Sequence, residues 1–118
     1  MKKIYYLSTC STCDRILKEV HAAEKGVVLQ DIKTEKISPK ELDEMKEKAG
    51  SYEALFSRRA MKYKEWGLKD QDLGEKDYRR YLLEEYTFLK RPVALIGSEI
   101  FVGSEKKTVE TLKKALGS

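Results

Sequence analysis

Apolar and polar positions follow two rhythms along this chain. Lys3-Ile4-Tyr5-Tyr6-Leu7 is a short run of β-prone residues, and Ser8-Thr9 break it. Cys13, Ile16, Leu17 and Val20 then fall at i, i+3, i+4 and i+7, which predicts a helix with one apolar stripe. Gly26 follows as the expected helix stop. Val27-Val28-Leu29-Gln30-Asp31-Ile32 reads as a second strand. The opening is therefore strand, helix, strand, with a connection long enough for a right-handed parallel crossover.

The rhythm then turns helical. Ser38 is placed to cap a helix, with Pro39 at its first position and Glu41 at the capping-box position. Leu42, Met45 and Ala49 give that helix a thin apolar stripe, and Gly50 ends it. Shorter helical pieces follow at Ala54-Leu55-Phe56 and from Met61 to Trp66, closed by Gly67. A longer one runs from Asp77 to Tyr86, with Tyr78, Tyr81 and Leu82 on one face; these and Tyr86 read as packing residues. Strand character returns at Val93-Ala94-Leu95-Ile96, an unbroken apolar run suited to a buried strand. Gly97-Ser98 is a two-residue hairpin turn, and Glu99-Ile100-Phe101-Val102 pairs back across it. Gly103-Ser104 lead into a last helix with Val109, Leu112 and Leu116 inward, and Ser104 is the expected cap. The pattern is α/β with a four-stranded mixed sheet: β-α-β, a helical block, then β-β-α. With 118 residues the expected organisation is a single domain, 1–118, carrying a packed helical insertion at about 34–88.

Composition narrows the function. The net charge of +4 raises nucleic-acid binding, but the cations are interleaved with acids, as in Lys40-Glu41-Leu42-Asp43-Glu44-Met45-Lys46, which is the pattern of a solvated helix face. Nucleic acid is not the expected partner; a few cations around an anion pocket fit the same net charge. Neither a secretory leader nor an apolar run of membrane-spanning length is expected, so the expected location is the cytoplasm, with no membrane partner. The two cysteines are three residues apart, and with one histidine, His21, they cannot complete a zinc site, so no metal is expected. A lone Cys-x-x-Cys in such a chain points to redox or nucleophilic chemistry.

Cys10 falls where a parallel strand ends and a helix begins, at the end of an α/β sheet where ligands bind. The unpaired N–H groups and positive dipole of a helix start stabilise a thiolate and attract oxyanions. Cys10 is thus the candidate nucleophile, facing a small anion pocket at Ser11 and Thr12. Cys13, one turn later, has two readings: a resolving thiol, or a small buried side chain of the apolar stripe. Arg91-Pro92 precedes the buried strand, where a cis bond would bring backbone close to Cys10. Ser57-Arg58-Arg59 is a basic turn whose reading is either an oxyanion fork or a solvated pair. His21 lies more than two turns beyond Cys10, too far for a general base.

Taken in order, these residues resemble the ArsC/Spx family, the glutaredoxin-type arsenate reductases and related redox regulators, in its Cys-x-x-Cys branch. The matching features are Ile4-Tyr5, Cys10-Ser11-Thr12-Cys13, Ser57-Arg58-Arg59, Lys90-Arg91-Pro92-Val93 and Phe101-Val102-Gly103. The resemblance implies a thioredoxin-like fold with a helical insertion. It implies Cys10 as nucleophile, Arg91 and Arg59 as oxyanion-binding arginines, and Pro92 as the cis-proline of the fold. It also implies no bound cofactor, with glutathione as co-substrate and glutaredoxin or thioredoxin as reductant. The family's third arginine is replaced by Ser104, a first-strand histidine by Tyr6, and a basic residue after the cysteine motif by Asp14. Two functions follow: a thiol-dependent oxidoreductase acting on a small oxyanion or a thiol substrate, or an Spx-like redox-switched regulator that docks on transcription machinery without turnover.

Overall fold

The run at the start of the chain forms β1 (Lys2–Tyr6), followed by α1 (Ser11–Glu19) and β2 (Val28–Asp31). The computed structural model describes residues 2–117. After residue 36 come α2 (Pro39–Ala49), α3 (Met61–Glu65) and α4 (Glu75–Glu84), with short 3-10 turns between them. The chain then forms β3 (Val93–Ile96), β4 (Glu99–Val102) and α5 (Lys106–Ala115). The sheet order is β2-β1-β3-β4; β1 runs parallel to β2 and antiparallel to β3, and β4 is antiparallel to β3. This is the four-stranded mixed sheet of the thioredoxin-like fold, as the hydrophobic pattern and the family resemblance led one to expect.

Two compact units share the chain. One comprises the residues up to Lys36 and from Arg91 onward; the other is Ile37–Lys90. In the first unit, Ile4, Ala94 and Phe101 lie on one face of the sheet. They pack with Ile16 and Val20 of α1 and Val109, Leu112 and Leu116 around α5, all buried. The opposite-facing Tyr5, Gln30, Val93 and Leu95 are buried as well. Such burial of large side chains contributes roughly 1.5–3 kcal/mol each before the entropy of ordering the chain is subtracted.

The end of α1 differs from the expected stop at Gly26. The helix closes at His21, which sits at φ 56, the only non-glycine residue with positive φ among those described. His21 N–H donates to Lys18 O at 3.2 Å and Ala22 N–H to Leu17 O at 3.1 Å, the paired bonds of a Schellman cap. Gly26, at φ 71, instead ends the 3-10 turn Ala23–Lys25 that follows. The start of α5 also differs: Glu105 is its N-cap, without a side-chain capping bond, and Ser104 lies outside the helix.

In the second unit the expected capping box is present. Glu41 N–H donates to Ser38 Oγ at 3.1 Å and Ser38 N–H to Glu41 Oε1 at 2.9 Å. Its buried leucines and Met45 surround an aromatic cluster: Phe56 stacks on Phe88 at 4.8 Å and tilts against Tyr78 at 4.9 Å, and Trp66 and Tyr81 meet Phe88 edge-on. Ser57 N–H donates to Phe88 O and Lys90 N–H to Leu55 O, tying the middle of the segment to its end in an isolated antiparallel bridge. The Arg79 guanidinium forks onto Asp43, to which Tyr52 also donates. Together they hold the Asp43 carboxyl down at about 2, so this α2–α4 link persists through the neutral and mildly acid range.

His21 is the testable weak point. A side chain in the left-handed region costs about 1–2 kcal/mol, against which glycine loses about 0.5–1 kcal/mol of unfolded-chain freedom. His21→Gly is expected to stabilise the protein by about 0.5–1 kcal/mol in urea unfolding. His21→Ala, which keeps a Cβ, should give no gain. A glycine variant less stable than wild type would contradict the strain.

Candidate active site

At the carboxyl end of β1 the chain makes one tight turn, closed by Cys10 N–H to Leu7 O at 3.0 Å. It then enters α1 with Cys10 at the N-cap in extended conformation, φ −97 and ψ 110. Cys10 is half-buried; Cys13, on the inner face of α1, is fully buried, and both are free thiols. The spacing thus places the two sulfurs one helical turn apart in contrasting surroundings.

Those surroundings drive the two thiols in opposite directions. Burial alone would raise the Cys10 thiol. The Cys13 N–H and thiol, the positive charge of Arg91 and the Thr12 N–H outweigh it and hold Cys10 below its ordinary value of 9.0. Cys13 is pushed up to about 11, chiefly by burial and further by the neighbouring Cys10 sulfur, against opposing effects of the Leu7 backbone and Arg91. This arrangement makes Cys10 the easier of the two thiols to ionise and keeps the proton on Cys13 at neutral pH. A half-buried, more readily ionised sulfur is thereby paired with a buried, protonated one within hydrogen-bonding reach.

Arg91 acts on both thiols and Thr12 lies in the same first turn, so the structure brings Cys10, Cys13, Thr12 and Arg91 together. Ser11, the first residue of α1, is exposed beside them. The Arg91-Pro92 bond is cis, and Pro92 O accepts from Gly103 N–H at 2.9 Å. The loop leading to α5 is thereby fixed against the start of β3. Arg59 belongs to the second unit, exposed, with its N–H donating to Ser57 Oγ. Its neighbour Arg58 is engaged with Glu53 and Tyr78 and serves that unit's packing. Among the described residues no cluster of three or more metal-ligating side chains occurs, and no helix is long and apolar enough to cross a membrane.

Charge is unevenly shared. The unit carrying Cys10 has 12 Lys and Arg against 8 Asp and Glu, whereas Ile37–Lys90 has 12 against 12. The whole surplus of +4 therefore lies with the thiol pair, a field that favours anions. Sequence spacing alone had left that charge unlocated.

A thioredoxin-like sheet with a Cys-x-x-Cys at its first strand–helix junction and a cis-proline before β3 defines a class of thiol-active proteins. Within that class the chain belongs to the ArsC family, whose sequence model matches residues 5–112. Solved structures share the fold. The arsenate reductase from Vibrio cholerae superposes with TM-score 0.78 at 17% identity, covering 97% of this chain and 96% of its own. A Brucella melitensis protein related to arsenate reductase gives 0.69 at 19%, covering 93% and 92%. A protein of Staphylococcus aureus COL gives 0.72 at 27%, covering 94% and 97%. No curated protein sequence matches the chain.

Arg91→Gln removes the one side-chain cation that lowers both thiols. The expected outcome is slower iodoacetamide alkylation of Cys10 at pH 7, with the rate rising toward the wild-type plateau as pH increases. A variant that alkylates as fast as wild type throughout would show that Arg91 does not act on the sulfur.

Proposed function

We propose that this chain is a thiol-dependent oxidoreductase of the arsenate-reductase type, with Cys10 as nucleophile and Cys13 as resolving thiol. The observation that carries this reading is the split between the two thiols. Cys10 is half-exposed at a helix start and favoured as thiolate; Cys13 is buried and held as thiol. Membership of the ArsC family supports it.

With arsenate as substrate, the Cys10 thiolate attacks arsenic(V) and an oxide departs as water after taking up protons. A second thiol, Cys13 or glutathione, then loses its proton and attacks the Cys10 sulfur. The S–As bond breaks, its electron pair stays on arsenic, arsenite leaves, and a disulfide remains. With a disulfide as substrate, the Cys10 thiolate attacks one sulfur and the other leaves as thiol. Cys13 then displaces the remaining partner to give a Cys10–Cys13 bond. In both cases two thiols are oxidised by one bond and the substrate gains two electrons. A thioredoxin or glutaredoxin dithiol is the reductant that resets the pair, in the cytoplasm. No bound cofactor is required.

Arg91 supplies charge beside the developing adduct, and the Thr12 and Ser11 end of α1 supplies the anion-facing backbone. Arg59 enters by family pattern as a second anion-binding arginine. With Ser104 in place of a further arginine, oxyanion binding is expected to be weaker by the worth of one charged hydrogen-bonding pair, about 1.5–3 kcal/mol.

The test is turnover of arsenate with glutathione and glutaredoxin, run beside reduction of a small disulfide. Wild type should be active in at least the disulfide arm, and Cys10→Ser inactive in both. Cys13→Ser should lose disulfide turnover and retain arsenate turnover only if glutathione resolves the adduct. Activity surviving in Cys10→Ser, or a wild type inactive in both arms, would sink the reading.

A further inference from the structure

The turn that delivers Cys10 to α1 is held from outside itself. In a turn closed by its first carbonyl and fourth amide, the second residue's N–H has no partner within the turn. Here that residue is Ser8, and its N–H donates to Asp31 Oδ1 at 3.2 Å. Asp31 ends β2, the parallel neighbour of β1, where it is in register with Tyr6, two residues before Ser8. The carboxylate is itself oriented: Oδ1 also accepts from Lys33 N–H at 3.1 Å. The Asp31 carbonyl accepts from Thr34 and Glu35 N–H, at 3.2 and 2.8 Å. Ile32 N–H donates to Tyr6 O at 2.9 Å, continuing the pairing beyond the last registered residues. Thus a clamp built on the end of β2 reaches across to the two-residue turn before the nucleophile.

We propose that Asp31 is a positioning residue for Cys10, its carboxylate fixing the Ser8-Thr9 turn so that the Cys10 sulfur stays at the N-cap of α1 within range of the Thr12 and Cys13 N–H groups. The inference rests on the reading of Cys10 as nucleophile. Asp31 does not touch substrate in this account; it acts through the backbone. The Ser8 hydroxyl, outweighing slight burial, and the Lys33 and Ser8 N–H groups keep its carboxyl below the usual range, so it is ionised wherever the thiol works. A bare negative charge at this point would disfavour a nearby thiolate. Charge and positioning therefore predict opposite signs when the carboxylate is removed.

The experiment follows iodoacetamide alkylation of Cys10 against pH in wild type, Asp31→Ala and Asp31→Asn, reading the Cys10 peptide by mass, with urea unfolding of each variant alongside. Asp31→Ala should alkylate about threefold or more slowly at pH 7, with its profile displaced to higher pH, because the thiolate fraction falls. Asp31→Asn keeps an acceptor oxygen for Ser8 N–H and should stay near wild type. Faster alkylation in both variants would mean that only charge matters and overturn the proposal. A folded Asp31→Ala with an unchanged profile would overturn it as well. Should the alanine variant not fold, amide exchange at Ser8 in wild type and Asp31→Asn decides: protection in both supports the clamp, and free exchange in wild type refutes it. If wild-type Cys10 itself titrates as an ordinary thiol, the nucleophile reading fails first, which is a different result from a low wild-type value unaffected at Asp31.

Discussion

The reactive chemistry of this chain depends on the geometry of one junction, where β1 stops and a single turn hands the backbone to α1. A sulfur at the last extended residue before a helix meets N–H groups that have no partner in the helix. Those donors favour charge on the sulfur more than on any residue further along. At Cys10 they act with Arg91 and overcome the opposing effect of burial. One turn later the same helix carries Cys13 into the core, where desolvation dominates and the proton is retained. Identical side chains thus acquire opposite ionisation tendencies from a displacement of three residues.

The rest of the first unit serves that junction. The parallel β1–β2 pair sets where the strand ends, and Asp31 reaches from it to the turn. β3 brings Arg91 and the cis-proline to the site, while Gly103 ties the following loop to Pro92. α1 and α5 share one core against the sheet, so α1 is anchored along its buried stripe. The second unit has its own aromatic core and ion-pair link, and is neutral in charge. Electrostatic attraction for anions is therefore a property of the thiol-bearing unit.

Much of this was legible in the chain. The capping box at Ser38 and Glu41, the Gly97-Ser98 hairpin and the buried run Val93–Ile96 are local signals whose physics is complete within a few residues. So is the stripe of Cys13, Ile16 and Val20. The misread features depend on choices that neighbouring residues leave open. Gly26 was the natural helix stop, yet the Schellman bonds close at His21, because Leu17 and Ala22 satisfy that cap and histidine tolerates the left-handed region better than most residues. Ser104 has the right chemistry for a cap, but the N-cap of α5 falls a residue later, at Glu105. The pairing of Asp31 with Ser8 spans 23 residues and follows only from the parallel register, which no periodicity reveals. Spacing and family pattern single out Cys10, Cys13 and Arg91 as candidates; the direction of each thiol's shift needs the burial and charges around it.

The most direct measurement is a titration of both thiols in the intact protein, with cysteine labelled at the β-carbon and observed by NMR. Cys10 is expected to ionise first, below 9.0, and Cys13 near 11. If Cys13 titrates at or below Cys10, or both titrate together near 9.0, the assignment of nucleophile and resolving thiol is contradicted.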